Sequence, residues 1–85
     1  MNTRKVDELV AAAVAAEFEQ WGREHPSLAS VIDRIRLTER TVESLRNSDA
    51  YRQALAAYHR DQNDLNFLSQ LAELAGPILR NLLGA

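Results

Sequence analysis

The sequence predicts an all-α protein, and three observations carry this prediction. Good helix formers dominate the composition, while only three Gly and two Pro are present to form turns. Apolar residues recur at alternating steps of three and four in two ladders, the spacing of helices that pack along a seam. A short polar turn around Ser48 separates the ladders. We therefore expect an antiparallel helical hairpin of helices 28–46 and 49–75, within a three-helix bundle or as part of a dimeric bundle.

The two ladders define the expected seam of the hairpin. The first consists of Leu28, Val31, Ile35, Thr38, Val42 and Leu45. The second consists of Tyr51, Ala54, Tyr58, Asp61, Leu65, Leu68, Ala72 and Ala75. Folding the ladders about Ser48 brings Thr38, Tyr58 and Asp61 together as a polar layer in an apolar seam. We interpret this layer as a device that fixes the helix register. The alternative, an acid–base pair of Asp61 and His59, is less favoured because residues two apart on a helix point in different directions.

An N-terminal helix is predicted over residues 4–23, with Thr3 as its N-cap. The apolar residues of this helix have helical spacing and define one face. They are Val6, Leu9, Val10, Ala13, Val14, Phe18 and Trp21. The pair His25-Pro26 ends the helix. The start of the chain resembles a secretion signal, but acidic residues interrupt it and its apolar run, residues 9–16, is short. No segment approaches the ~20 apolar residues of a membrane span, so we expect a cytoplasmic protein.

Two positions decide how the second half of the chain is divided. The stretch 59–64 is entirely polar, and Asp64 could cap a new helix. Because the heptad phase continues across this stretch, we favour one continuous helix to Ala75. Gly76-Pro77 then predicts a helix stop, followed by a short apolar helix over residues 77–83. The chain is thus expected to be a single helical domain, 1–85, whose residues 76–85 form an apolar segment after this break.

The predicted helices differ in length, and this mismatch suggests that another chain completes the fold. The longer helix would extend past its partner, and the apolar C-terminal segment would also need cover. The candidate interface consists of Trp21, Phe67, Leu71, Leu74, Ile78, Leu79, Leu82 and Leu83. We expect a homo-oligomer, most simply a dimer. The C-terminal segment could instead dock on a partner protein, or it could cap its own bundle.

The sequence gives little support to catalysis, metal binding or nucleic-acid binding. Cysteine is absent, and neither His25 nor His59 has a partner at metal-ligand spacing. Gly occurs only at positions 22, 76 and 84, which are too far apart for a glycine-rich phosphate loop. No catalytic residue, cofactor or metal is predicted. The net charge is −2, and acidic residues interrupt a stripe of arginines. The arginines of this stripe are Arg36, Arg40, Arg46, Arg52 and Arg60. A small helical enzyme and a nucleic-acid-binding protein remain only as minor alternatives.

Part of the chain resembles a known family of small helical regulators. Two segments resemble the bacterial YlbF/YmcA family. Residues 45–52, Leu-Arg-Asn-Ser-Asp-Ala-Tyr-Arg, are similar to the place where one helix of that family ends at a short polar turn and the next begins. The later run 64–75 is similar to the last helix of the family. The resemblance covers about 35 residues and departs at Gly76-Pro77, at the N-terminal half and in the spacing of the two segments. It implies a non-catalytic bacterial adaptor that assembles with other proteins. It transfers no functional residue.

The leading functional hypothesis is a non-enzymatic interaction, scaffold or adaptor module that self-associates. The paired heptads, the uncovered helix end and the apolar tail all point to protein contacts rather than to a reaction. The alternative is a regulator or cargo-type protein that docks through its C-terminal apolar helix.

Overall fold

A computed structural model describes residues 3–84, and this part of the chain is helical without a β-strand. The all-α prediction is therefore confirmed. The helices are α1 (Thr3–Glu24), α2 (Pro26–Ala29), α3 (Arg34–Arg46), α4 (Asp49–Asp61) and α5 (Asp64–Leu82). Residues 1, 2 and 85 lie outside the described part, and with them the last residue of the predicted C-terminal segment.

Helix α1 matches its prediction closely. Its buried residues are Val6, Leu9, Val10, Ala13, Val14, Phe18 and Trp21, the same stripe that the helical spacing predicts. The helix ends before Pro26, where the backbone N–H of His25 still donates to the Trp21 carbonyl at 2.9 Å. A long amphipathic stripe followed by proline was thus sufficient to place this helix.

The predicted helix 28–46 is wrong in its first third, because the chain breaks between α2 and α3. Residues 30–33 form a turn, in which the Ser30 hydroxyl donates to the Ser27 carbonyl at 3.1 Å. Asp33 is the N-cap of α3, and its carboxylate accepts from the backbone N–H of Arg36 at 3.1 Å. Since α2 has no fully buried residue and only Ala29 and Ile32 pack partly against the core, the local hydrogen bonds set the backbone here.

The predicted continuous helix 49–75 is also wrong, since α4 and α5 are separate helices. Gln62 adopts a left-handed conformation with φ 53° and ends α4. Asn63 then caps α5, and its side chain accepts from the backbone N–H of Asn66 at 3.1 Å. The polar stretch therefore contains a break, as the alternative proposed, but the cap is Asn63 rather than Asp64.

Gly76-Pro77 does not stop the helix, contrary to the prediction of a break before a separate helix 77–83. Helix α5 continues to Leu82 with Pro77 in its interior. On either side of this pair, Ala75 is 0% exposed and Leu79 is 1% exposed. Burial of these neighbours outweighs the local cost of a proline and a glycine in a helix.

Side-chain pairs show how α1 and α5 run. Near the starts of the two helices, Lys5 Nζ lies 3.1 Å from Asp64 Oδ2. Near their ends, an Arg80 nitrogen lies 4.0 Å from a Glu24 oxygen. Like ends therefore meet, and the two helices are parallel.

Helix α3 runs antiparallel to α1. Arg46, at its end, binds Asp7 near the start of α1, and the Arg34 guanidinium lies 5.7 Å from the centre of the Phe18 ring near the end of α1. Helix α3 packs mainly on α5 and α1 and only slightly on α4. The layers expected from folding the two ladders about Ser48 therefore do not form along their whole length.

Helices α4 and α5 form an antiparallel pair joined by two residues. Tyr58 stacks on Phe67, with 4.6 Å between ring centres and an angle of 21° between the rings. The predicted turn at residues 47–48 is present between α3 and α4, and Ser48 caps α4 by accepting from the Tyr51 N–H at 3.1 Å. Helix α5 thus packs against α1, α3 and α4, and the core surrounds it.

Candidate functional site

The predicted polar layer of Thr38, Tyr58 and Asp61 is replaced by a different polar contact. The Tyr58 hydroxyl donates to Asp64 Oδ1 at 2.7 Å. Asp61 is exposed, and its carboxylate accepts from the backbone N–H of Asn63 at 2.9 Å. Thr38 is half-buried on α3. Asp64, rather than Asp61, is therefore the carboxylate that contacts Tyr58.

Lys5, Tyr58 and Asp64 form a small ionic cluster that ties α1, α4 and α5 together. The hydrogen bond from Tyr58, followed by the one from Lys5, lowers the pKa of Asp64 below its usual 3.8. The hydrogen bond to Asp64 likewise raises the pKa of Lys5 and of Tyr58. The cluster is therefore held as an ionised carboxylate with a protonated phenol and ammonium, which is the pattern of a structural tie.

The predicted interface lies largely in the chain's own core. Trp21, Phe67, Leu71 and Leu79 are at most 4% exposed. Leu74, Ile78 and Leu83 are partly buried against that core, and Leu82 is half-buried. These side chains cover each other within one chain, because α5 continues through Pro77 and remains packed on its neighbours.

The most exposed large apolar side chains occupy positions that the ladders assigned to the seam. Val31 is 76% exposed, Ile35 75% and Leu28 53%, and Leu65 on α5 is 80% exposed. We call Leu28, Val31 and Ile35 the apolar stripe. The predicted partners of the stripe were on a continuous second helix, and the breaks at residues 30–33 and 62–63 remove that pairing. The capping ability of Ser30 and Asp33 was the sequence signal that could have revealed this.

Leu65 belongs to a different end of the bundle from the apolar stripe. The stripe adjoins Arg34, which stacks over Phe18, whereas Leu65 follows Asp64, which binds Lys5. Residues 5 and 18 are thirteen residues apart on α1, or about 20 Å along its axis. The apolar stripe and Leu65 therefore lie at different ends of the bundle.

Charges of both signs lie beside the apolar stripe. In residues 33–40, Asp33 and Glu39 are acidic, Arg34, Arg36 and Arg40 are basic, and all five side chains are exposed. Such interleaved charges attract a polyanion or an anionic membrane less than an all-basic surface does. They do allow an acidic group of one molecule to face a basic group of another.

Within residues 3–84, no group of three or more metal-binding side chains is found, and no helix has the length and hydropathy to cross a membrane. His25 stacks on Trp21 with 4.9 Å between ring centres, and His59 is exposed on α4. Two arginines of the predicted stripe bind carboxylates of the chain itself, Arg46 to Asp7 and Arg52 to Asp49.

Comparisons of the chain with protein-family models, with curated proteins and with solved structures find no match.

Proposed function

We propose that this protein is a non-catalytic helical interaction module that forms a homodimer through the apolar stripe. The observation that carries the proposal is the exposure of Val31 and Ile35, both at least 75% exposed although they are branched apolar residues. Burying such a side chain contributes about 1.5–3 kcal/mol. Leu28 on α2, Val31 in the turn and Ile35 on α3 are also close in the chain, within eight residues.

A second copy of the chain is the occupant that the surrounding charges favour. A twofold axis brings the same surface of both molecules together, so each charge meets a group of the same surface. Asp33 and Glu39 of one chain can face Arg34 and Arg36 of the other. A surface with charges of both signs allows such pairing between two copies, whereas a nucleic acid or an anionic membrane favours an all-basic surface.

The resemblance of residues 45–75 to the YlbF/YmcA family supports the same class of function, since it implies an adaptor that assembles with proteins. It is independent of the apolar stripe, which lies outside the similar segments. A cytoplasmic location and a further protein partner remain predictions of the sequence.

The alternative of docking through the C-terminal helix receives less support. Leu79 is 1% exposed, and Ile78 and Leu83 pack partly against the same core. A segment that fills its own core has little apolar surface left to offer to a partner. This arrangement favours the interpretation that the segment caps its own bundle.

Size-exclusion chromatography with light scattering tests the proposal on the wild type and on Ile35→Glu. We expect the wild type to be a dimer at micromolar concentration and the variant to be a monomer, because each interface would then bury two unpaired carboxylates. The thermal midpoint of the isolated variant chain should change little, since Ile35 lies outside the core.

Leu65→Glu is the matched control, because it places the same charge at an equally exposed leucine at the other end of the bundle. It should remain dimeric. A wild type that is a stable monomer at micromolar concentration contradicts the proposal, as does a Leu65→Glu variant that dissociates while Ile35→Glu does not.

A further inference from the structure

An open groove of about 490 Å³ runs along the second half of α3. It is lined by the half-buried side chains of Thr38 and Val42. Its exposed polar and charged edges consist of Glu39, Glu43, Arg46 and Asn47. Ile35 of the apolar stripe precedes the groove on the same helix and is 75% exposed. The start of α3 thus carries an uncovered apolar side chain, and the rest of the helix carries an unfilled groove.

Ile35 and Val42 lie on one face of α3, because seven residues make almost two full helical turns. They are about 10 Å apart along the helix axis. When two α3 helices pack antiparallel about a twofold axis, Ile35 of each copy comes opposite Val42 of the other. Both projecting isoleucines then enter a groove, and both grooves are filled. Parallel helices instead place Ile35 against Ile35 and leave the grooves open.

The charges of α3 also distinguish the two orientations. Arg36 and Glu43 are seven residues apart, so they share a face beside the one that carries Ile35 and Val42. Both side chains are exposed, and neither forms a salt bridge within residues 3–84. An antiparallel twofold brings Arg36 of one copy to Glu43 of the other, twice in each dimer. A parallel pairing brings Arg36 to Arg36 and Glu43 to Glu43, which is repulsive.

We infer that α3 of one copy packs antiparallel on α3 of a second copy, with each Ile35 in the groove of the other copy. This arrangement rests on the proposed homodimer, and it adds the orientation of the two chains and the surface that receives the apolar stripe. The groove adjoins the exposed isoleucine on one helix, so a single contact fills both. The pair Arg36 and Glu43 is complementary in this orientation and repulsive in the parallel one.

The chain has no cysteine, so introduced cysteines report which residues meet across the dimer. After subunit exchange and mild oxidation, a mixture of Ile35→Cys and Val42→Cys should give a disulfide-linked dimer on a non-reducing gel. Each variant alone should give little, because its two cysteines are about 10 Å apart along the axis, beyond the reach of a disulfide. Leu65→Cys mixed with Ile35→Cys measures random collisions, since Leu65 is 80% exposed at the other end of the bundle.

Charge reversal tests the same arrangement by analytical ultracentrifugation. Arg36→Glu and Glu43→Arg should each weaken dimerisation about tenfold, because each creates two like-charged contacts in the dimer. The double variant Arg36→Glu/Glu43→Arg restores opposite charges, so its dissociation constant should return to within about threefold of the wild type. Arg60→Glu makes the same charge change at an exposed arginine of α4 and should dimerise as the wild type does.

The outcomes separate this arrangement from dimerisation itself. A dimeric wild type whose Ile35→Cys and Val42→Cys mixture cross-links no more than the Leu65→Cys background overturns the antiparallel packing and leaves the homodimer standing. Efficient cross-linking of Ile35→Cys with itself also overturns it, as does a double charge variant that dimerises no better than the single variants. A wild type that is monomeric by light scattering overturns both the homodimer and its orientation.

Discussion

At the scale of single residues, the hydrogen bonds of Asp64 show how a local break creates a tertiary contact. The residue begins α5 one position after its cap, and its carboxylate reaches both Tyr58 of α4 and Lys5 of α1. The side chains of Lys5 and Asp64 are 46% and 41% exposed, so solvent screens their attraction. Nevertheless, the cluster gives the folded state a defined dependence on pH.

Asp64→Asn should flatten the acid side of the pH–stability profile. The folded-state pKa of Asp64 is below 3.8, so its contribution is present above that value and is lost as the pH falls through the lower folded-state value. The wild-type thermal midpoint should therefore drop more than that of Asp64→Asn between about pH 5 and pH 3.

Glu73→Gln is the control for this comparison, because it removes an exposed carboxylate from the same helix. Its profile should follow the wild type. On the alkaline side, the raised pKa values of Lys5 and Tyr58 mean that their contributions are present below about pH 10 and are lost as the pH rises through the folded-state values. Parallel acid profiles of the wild type and Asp64→Asn would contradict this role of the cluster.

At the scale of secondary structure, helix boundaries follow a competition between local signals and burial. The polar caps Asp33 and Asn63 begin helices at positions where they are themselves exposed. Gly76 and Pro77 fail to end a helix where both neighbouring turns are buried. A Cβ at Gly76 would lie 3.4 Å from Glu17 Oε2, so this position also allows a close approach of α1. The same type of local signal therefore succeeds at an exposed site and fails at a buried one.

Pro77→Ala should stabilise the protein by about 1–3 kcal/mol, because an interior proline lacks the N–H that the helix needs and its ring crowds the preceding turn. The free energy of unfolding in urea measures this effect. Since Pro77 itself is exposed, the substitution leaves no cavity in the core.

Asn81→Ala provides the comparison at an exposed position of the same helix, where the gain should be at most about 0.7 kcal/mol. If Pro77→Ala gives no larger gain than Asn81→Ala, then α5 is not a continuous helix in solution.

At the scale of the whole molecule, the chain is an elongated bundle of 42 × 20 × 19 Å built around α5. Parallel α1 and α5 form the centre, α3 packs on both, and α4 returns along the first half of α5. A single chain therefore covers the end of the predicted helix 49–75, which was expected to extend past its partner and need a second chain. Leu28, Val31 and Ile35, at the junction of α2 and α3, are exposed instead, and so is Leu65 at the other end of the bundle.

Removal of residues 77–85 should destroy cooperative thermal unfolding, because Leu79 fills the core and its truncation alone costs about 2–5 kcal/mol. Circular dichroism during heating measures this. A chain that ends at Leu83 serves as the control and should unfold as the full chain does. A stable fold without residues 77–85 would instead favour the docking role of the C-terminal helix.

The sequence by itself determined the all-α class, the buried stripe of α1 and the turn at Ser48, because each of these depends on residues that are close in the chain. Val10, Val14 and Phe18 define one helix face whatever packs on it, and Ser48 can cap a helix without help from distant residues. Such features follow from periodicity and local hydrogen bonds.

Only the tertiary structure decided which ladder positions are buried and where the helices end. Ala75 and Val31 both occupy ladder positions, yet Ala75 is 0% exposed and Val31 is 76% exposed. Heptad spacing says that two residues share a face, but it does not say which helix covers that face. The predicted hairpin paired helix 28–46 with helix 49–75. In the structure α1 packs extensively on α5, and Leu28, Val31 and Ile35 are exposed to solvent. The exposure of the apolar stripe therefore depends on which helices pack together, and residues close in the chain do not determine that.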